Sequence, residues 1–581
     1  MTELLLYNGF TPLRRSPADV FLDNGLGLLR AALRAAQIRF VIEDPASLTE
    51  VQKFDAPQIT QPLRALLQKQ LFNDIPLNAE EQTRMKALYA DMLATQAQKM
   101  RYTLDLLATR VKDHQIPIVG IKLWAGSTFG YCQYLCDRIH EVSPETIVIV
   151  GGPQVNCFSF DGQILKLTSF DAAVYSEGEH ALIEIVKACR GCTTKKKRLA
   201  AIQRARIPNT IFRSANGVEV MEVVTTDVNH KPIPEYGDIS GQIPVHTLID
   251  ALGCDYGKCA FCIHPCIYPH FRKRTPSLVV DEMVQMVKQG IGMFSFTASD
   301  TPLSHGVHIS EEILKRRLQV EFTILTRAKR NAMQHREKII SQFRVLIRAG
   351  LKSVFFGVES ANDAVLKQVM NKGVTTEDME ITIACLRKAS ELEKQWVNII
   401  ASFIFPTPLP HSLTDAGVTH ETVMADNLTF LARVQPDSFH AIPGLLYPGT
   451  RWYTHAEEFN IRFSPEEFSK KWISQEMSYH GYLNMGTEHL YSFDSVPLQE
   501  LLPMSIAFSQ EGNALGIPSD LWDEHFMLAR ASNIQGKSNL LKLSEDLFLD
   551  LLTCSDARTG YLYQNLARHS QNIARSNHHL A

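Results

Sequence analysis

The sequence has no apolar run near the roughly 18 residues of a membrane span. It has no strong excess of either charge, since 59 basic and 62 acidic residues leave −3 over 581 positions. Nothing global therefore calls for a nucleic acid partner. The N-terminus carries Glu3 and an apolar run of only Leu4 to Leu6, without the basic start and long apolar core of a secretory signal. A cytoplasmic location is expected. Internal repeats and low-complexity tracts are missing. So is a G-x-G-x-x-G after the first strand: Gly25-Leu26-Gly27 lacks the third glycine, which argues against a dinucleotide cofactor.

What is present is ordinary globular text, 45% hydrophobic and 21% charged, which excludes disordered and fibrous classes. At about 150 residues per domain the length implies several units, one of which can be a long α/β barrel.

Short apolar runs read as strands at Leu4–Tyr7, Ile38–Ile42, Ile116–Leu123, Ile147–Val150 and Ala172–Tyr175. A periodic helix is expected at Leu26–Ala36, and the span from Ala46 to Val111 reads as largely helical. Strands with helical spacers argue a parallel, doubly wound sheet over residues 1–194. Residues 195–244 read as a linker, with a basic run from Lys195 to Arg206 taken as a solvated helix face and a hairpin at Asn216-Gly217. The alternation restarts with strands at Val245–Leu252, Met293–Thr297, Glu321–Leu325, Ser353–Val358, Ile399–Phe405 and Ser438–Ile442. About six β/α units over 245–460 suit a partial barrel. Residues 461–581 turn helical, with Trp472, Tyr479, Tyr482, Phe493, Trp522 and Phe526 as core or as a cap over the barrel mouth.

Four of the eleven cysteines fall within thirteen residues, at Cys254, Cys259, Cys262 and Cys266, directly after the first strand of the second α/β unit. Three thiolates on one tight loop can hold three irons of a cubane cluster and leave the fourth open. Gly253 and Gly257 let the loop curl, and Lys258 adds a positive charge. Two readings compete: a structural zinc site on all four cysteines, and a redox thiol pair at Cys259 and Cys262.

With Phe261 before its last cysteine, the loop resembles that of the radical SAM superfamily (SAM is S-adenosylmethionine). The family spacing is x3 then x2, whereas this chain has x4 then x2, so Cys266 could replace Cys254 as a ligand. The resemblance implies a 4Fe-4S cluster on Cys254, Cys259 and Cys262, with SAM bound near Phe261, Asp300, Arg327 and Glu359. Asp300 and Arg327 close the stretches Gly292–Asp300 and Phe322–Arg327, and Glu359 lies in Phe355–Ser360; the three are similar to the second, third and fourth barrel strands of the family. Tyr447-Pro448-Gly449-Thr450 resembles its last turn, while Phe405-Pro406-Thr407-Pro408 departs from the glycine-rich fifth.

Earlier in the chain, Ser127 and Thr128 end one strand, Gly151-Gly152-Pro153 ends another, and Glu177-Gly178-Glu179 follows a third. Open α/β sheets bind ligands at such ends. The pattern resembles the Rossmann-like cobalamin-binding domain that precedes many radical SAM barrels. The resemblance implies cobalamin contacts at Ser127, Thr128, Gly151, Gly152, Pro153, Glu177 and Gly178; a ligand-free scaffold is the rival reading.

Together these resemblances imply a cobalamin-dependent radical SAM enzyme that methylates an unactivated carbon of a small molecule or peptide. An external donor of flavodoxin or ferredoxin type would supply electrons, with no membrane or nucleic acid partner. One alternative keeps the cofactors but ends in rearrangement, ring contraction or cyclisation. Another is a methylthiotransferase, whose leading domain would need its own cluster cysteines, here only Cys132, Cys136 and Cys157. The loop from Asn8 to Pro17 lacks the D-x-H-x-x-G motif that supplies an axial histidine, and neither His114 nor His525 replaces it. Cobalamin is therefore expected without a histidine on cobalt.

Overall fold

The computed structural model describes residues 2–13, 24–73, 75–123, 127–157, 162–237, 243–472, 490–494 and 496–580. Tyr479, Tyr482 and the end of the Asn8–Pro17 loop lie outside them, as do Trp124 to Gly126.

The first unit is a seven-stranded sheet. Its strands are β1 (Leu4–Asn8), β2 (Phe40–Glu43), β3 (Ile118–Lys122), β4 (Ile147–Gly151), β5 (Ala172–Val174), β6 (Thr210–Ser214) and β7 (Gly217–Val220), in the order β2-β1-β3-β4-β5-β6-β7. The first five pair in parallel and the last two antiparallel. Helices on both faces explain why β1, β3 and β4 read as unbroken apolar text: every residue of β1 is buried. Residues 195–220, expected as part of a linker, hold a helix and the hairpin that complete this sheet. The basic run is not simply solvated either. Lys195 pairs with Asp171 at 2.7 Å, and Arg198 is buried against the Glu145 carbonyl.

The helical interruption forms three helices, Leu48–Gln52, Pro57–Leu71 and Ala79–Asp113. The longest starts on a capping box in which Asn78 and Glu81 satisfy each other's backbone N–H groups. Its apolar face finds a partner far along the chain, with Leu63, Leu67 and Met92 packing on Leu549 and Leu552.

The second unit is a six-stranded parallel sheet. It comprises β8 (Val245–Leu248), β11 (Met293–Phe296), β12 (Glu321–Thr326), β13 (Leu351–Glu359), β14 (Asn398–Ile404) and β15 (Ser438–Ile442), adjacent in chain order. Between β8 and β11 the chain makes a small antiparallel pair, β9 (Ala251–Leu252) with β10 (Arg272–Lys273), and the cysteine loop hangs between them. Outward residues such as Phe322, Val354 and Phe356 are buried under the helices, while inward Ser295, Leu325, Gly357 and Ser402 keep some accessibility. The helix expected from Ser310 begins earlier, at Leu303, since Pro302 supplies its start and buried His305 and Gly306 continue its inner face.

Among the described residues, the helices Asp523–Ala531 and Thr559–Arg575 do not cap the mouth. Asp523 accepts from Ser353 Oγ at 2.7 Å, Arg530 donates to Glu321 at 2.9 Å, and the Gly292 N–H donates to Ser570 at 2.9 Å. All three contacts lie at the starts of strands, opposite the cysteines. These helices form a floor because the strand starts expose polar groups that need partners. Among the described residues, the pieces around Phe459 and Phe493 approach the other end, where these two rings flank Trp452. Among the described residues no helix is long and apolar enough to cross a membrane.

Candidate active site

The cysteine loop is built by backbone needs first. Gly253 and Gly257 both hold positive φ, 86° and 58°, and a Cβ on Gly253 would lie 3.1 Å from the His270 carbonyl. The loop then docks on the segment after β13. The Ala260 N–H donates to the Met370 carbonyl at 2.9 Å, Asn371 Nδ2 to the Lys258 carbonyl at 2.8 Å, and Tyr256 O–H to the Asn371 carbonyl at 2.7 Å. Gly373 is required there, because a Cβ would meet the Tyr256 ring at 2.6 Å. On the other side the Trp452 N–H donates to the Ala260 carbonyl at 3.1 Å.

Cys254, Cys259 and Cys262 are half-buried and near enough that each charge would act on the others. Burial pushes the Cys262 thiol up to about 12 and the Cys259 thiol upward too. Without a metal both stay protonated; iron would draw them to thiolates. Cys266 turns away and donates to the Gly449 carbonyl at 3.2 Å. A four-cysteine zinc site would need it back. Lys258, expected to lend charge to the site, is exposed. The buried cation is Lys372, which the sequence pattern did not single out.

Lys372 Nζ donates to Glu359 Oε1 at 2.8 Å and lies 5.9 Å from the Phe261 ring. Glu359 ends β13 at φ 66°, and its carboxylate folds back over Gly357, where a Cβ would come within 2.5 Å of Oε1. Arg327 stacks on Tyr256, 3.9 Å from the ring centroid, and donates to the Lys372 carbonyl. Its Nε is buried without a hydrogen-bond partner. Asp300 accepts the Arg327 N–H at 3.0 Å. Burial, and then the neighbouring Asp255 carboxyl, raise Asp300 to about 7. The structure therefore gathers Phe261, Asp300, Arg327 and Glu359 around the three cysteines.

A second site opens at the C-terminal ends of β1, β3, β4 and β5, a cavity of about 510 Å³. Thr128, Gly151, Gly152, Pro153, Glu177 and Gly178 all line it; the Ser127 side chain lies outside the described residues. The glycines are a cradle: a Cβ on Gly9 would lie 2.4 Å from the Lys122 carbonyl, and one on Gly152 (φ 100°) 3.2 Å from that of Leu123. Below them Leu6, Ile149, Val174 and Leu182 form an apolar slot. The opposite wall comes from Lys231, Ile249, Leu252 and Tyr268, none of them anticipated. Lys231 and Arg272 pair with Glu177 at 3.4 and 2.5 Å, and burial with the carboxylates of Glu177 and Glu179 raises the Tyr268 phenol. Sequence proximity to the cysteines was the one available signal for Tyr268.

Cys132 and Cys136 sit in the core of the first unit, where burial raises both thiols. They offer no leading-domain cluster of the methylthiotransferase kind, and the Cys157 side chain lies outside the described residues.

Residues 248–400 match the radical SAM superfamily. Over 359 residues the chain is 25% identical to the anaerobic magnesium-protoporphyrin IX monomethyl ester cyclase of Rubrivivax gelatinosus, covering 56% of this chain and 62% of that protein. The chain thus spans under two thirds of that relative's length. Among solved structures, the radical SAM methyltransferase TsrM of Kitasatospora setae, with cobalamin and a 4Fe-4S cluster bound, matches with a TM-score of 0.58 at 15% identity over 94% of this chain and 99% of that one. The cobalamin-dependent SAM radical enzyme OxsB, with aqua-cobalamin bound, matches with a TM-score of 0.56 at 16% identity over 94% and 72%. At these identities the likeness is one of fold.

Proposed function

We propose, taking as premise that this chain is an enzyme with a radical SAM domain, that it uses cobalamin to act on a small molecule by radical rearrangement or cyclisation. One observation carries the reading. The loop that brings together three cysteines also walls the glycine-cradled cavity of the first unit, through Tyr268. We read the first sheet as a cobalamin-binding Rossmann-like domain and the second as a partial (β/α)6 barrel.

The residues fit the groups. Three clustered thiols suit iron, the unpartnered Arg327 Nε suits a carboxylate acceptor such as that of SAM, and the glycine cradle with its apolar slot suits a flat ring and its tail. When bound, cluster and SAM supply a deoxyadenosyl radical, and cobalamin supplies a cobalt centre. The chain does the rest. Lys372 holds the Glu359 carboxylate in place, and Tyr256 and Gly373 fix the guanidinium of Arg327.

The sequence likeness to a cyclase supports a non-methylating outcome over the methyl transfer first expected. Methyl transfer stays as the second reading because the TsrM fold matches nearly end to end. Product analysis separates them. Reduced, reconstituted protein given SAM, hydroxocobalamin and a cell extract should release 5′-deoxyadenosine without matching S-adenosylhomocysteine. Equal amounts of both would favour methyl transfer, and neither product would overturn the reading.

A further inference from the structure

Tyr268 belongs to the cysteine loop in sequence and to the other unit's cavity in space. It follows the single helical turn His264–Ile267, and its N–H donates to the His264 carbonyl at 2.7 Å. From there it packs against Gly253, the residue before Cys254: a Cβ on Gly253 would touch Tyr268 Cβ at 3.4 Å. Its ring lines the cavity together with Ile249 and Leu252, facing the strand ends that carry Gly151 and Gly152. The hydroxyl makes no hydrogen bond to any described residue. Around it Glu177, Glu179, Lys231 and Arg272 satisfy one another, with contacts of 2.5 to 3.4 Å. Tyr268 is half-buried, and its side chain borders the cavity.

We propose that Tyr268 is a ligand-contacting residue of the cobalamin site, and that ordering of the cysteine loop by its cluster sets the position of this tyrosine. The inference rests on the cobalamin reading above and adds two things to it. The face of the corrinoid turned toward the radical SAM unit meets a phenol O–H donor. Corrinoid affinity also depends on whether the cluster is in place. The coupling has a short path, since Gly253 joins Cys254 to the backbone on which Tyr268 packs, and β9 and β10 pin both ends of the loop through Leu252 and Arg272. A cluster that fixes Cys254 lowers the entropy lost when Tyr268 closes on a ligand.

Hydroxocobalamin binding, followed by visible absorption and equilibrium dialysis, tests this on the full chain with cluster reconstituted. Tyr268→Ala should bind at least about tenfold more weakly, and Tyr268→Phe a few-fold more weakly, as expected for one lost hydrogen bond. Both should keep the iron content of the parent. Tyr268→Phe, which preserves the packing, should also change the cobalt(II) resonance spectrum. The unsubstituted protein without its cluster should show the weakened affinity of Tyr268→Ala, and Tyr268→Ala should lose little more when its cluster is removed. Unchanged affinity and spectrum in Tyr268→Phe would overturn the hydroxyl contact. Equal cluster dependence in parent and Tyr268→Ala would overturn the coupling. Absence of hydroxocobalamin binding by the parent would instead defeat the cobalamin reading itself, a separate result.

Discussion

Arg272 Nη2 donates to Glu177 Oε1 at 2.5 Å, so one buried ion pair ties the strand that closes the cysteine loop to the loop after the fifth strand of the first sheet. Thr226 adds a hydrogen bond to the same carboxylate at 2.6 Å. A surface pair would contribute about 0–1 kcal/mol; here the side chains are 16% and 4% exposed, and removal of the arginine leaves the buried Glu177 carboxylate to its longer 3.4 Å contact with Lys231. Arg272→Met should cost about 3 kcal/mol, and the double variant with Glu177→Gln should cost less than Arg272→Met alone. Urea unfolding of the set measures it. Equal losses in the two would mean that the pair is not what the arginine serves.

Much of this arrangement was legible in the residues. Strands buried on both faces write themselves as apolar runs, so β1, β3 and β4 stood out, and ligand-binding ends follow from strand ends. The cysteine loop was visible because thiols at that spacing have few other uses. Lys372 and Tyr268 were not legible as site residues. Each reaches its place through tertiary packing, one by folding back from beyond β13 and the other by crossing to a second unit, and neither leaves a periodic trace. The end of the sheet on which the C-terminal helices pack was not legible for a similar reason: amphipathic text says that a helix packs, not on which end. Residues 210–220 looked like linker because a two-strand antiparallel edge is short, and only pairing with β5 reveals it as sheet.

Lys372 and Glu359 lend themselves to a substitution series. Lys372→Met leaves the Glu359 carboxylate buried and alone, and should lower stability by about 3–5 kcal/mol. Lys372→Arg should recover part of it. Glu359→Gln, Arg327→Ala and Gly357→Ala should retain iron but weaken SAM binding by on the order of 1.5–3 kcal/mol, through a lost charged hydrogen bond in the first two and a displaced carboxylate in the third. Calorimetric titration with SAM reads all three. Parental affinity in Gly357→Ala would show that the fold-back of Glu359 does not matter for SAM.

Among the cysteines the geometry distinguishes three from one. Replacing Cys254, Cys259 and Cys262 together by Ala should abolish the brown chromophore of anaerobically reconstituted protein and with it deoxyadenosine formation. Cys266→Ala should keep both, losing only a thiol contact to the Gly449 carbonyl. If Cys254→Ala keeps the chromophore while Cys266→Ala loses it, the ligand set is Cys259, Cys262 and Cys266.

Glu321 gives the floor a pH dependence. Burial alone would raise its carboxyl, but His569 at 3.4 Å and Arg530, whose Nε donates to it at 2.9 Å, outweigh burial and bring the group down from 4.5 to about 2. The folded value lies below the unfolded one. Its stabilisation is therefore whole above about pH 4.5 and is lost as pH falls toward 2. The span corresponds to about 3 kcal/mol. Glu321→Gln should flatten that part of the stability curve and leave the neutral region without a slope of its own. A variant with the parental acid slope would assign the effect to other carboxylates.

The last prediction concerns the cobalt itself. Imidazole is the side chain best suited to an axial position, and no histidine lines the cavity among its described residues. His114 caps the helix Ala79–Asp113, and His525 sits buried in the floor of the second unit, where its Nδ1 accepts the Trp522 N–H. Beneath the glycines the cavity offers Leu6, Ile149 and Val174, an apolar slot able to take a displaced benzimidazole but not to ligate cobalt. The lower face should then meet water or an apolar side chain. A weaker axial ligand stabilises the higher oxidation states less, so reduction toward cobalt(I) becomes easier. Electron paramagnetic resonance of the cobalt(II) form should show hyperfine lines without the threefold splitting that an axial nitrogen imposes. The same spectrum from protein labelled with nitrogen-15 histidine should be unchanged. Threefold splitting that collapses to twofold on labelling would place a histidine on cobalt and refute the assignment of the slot.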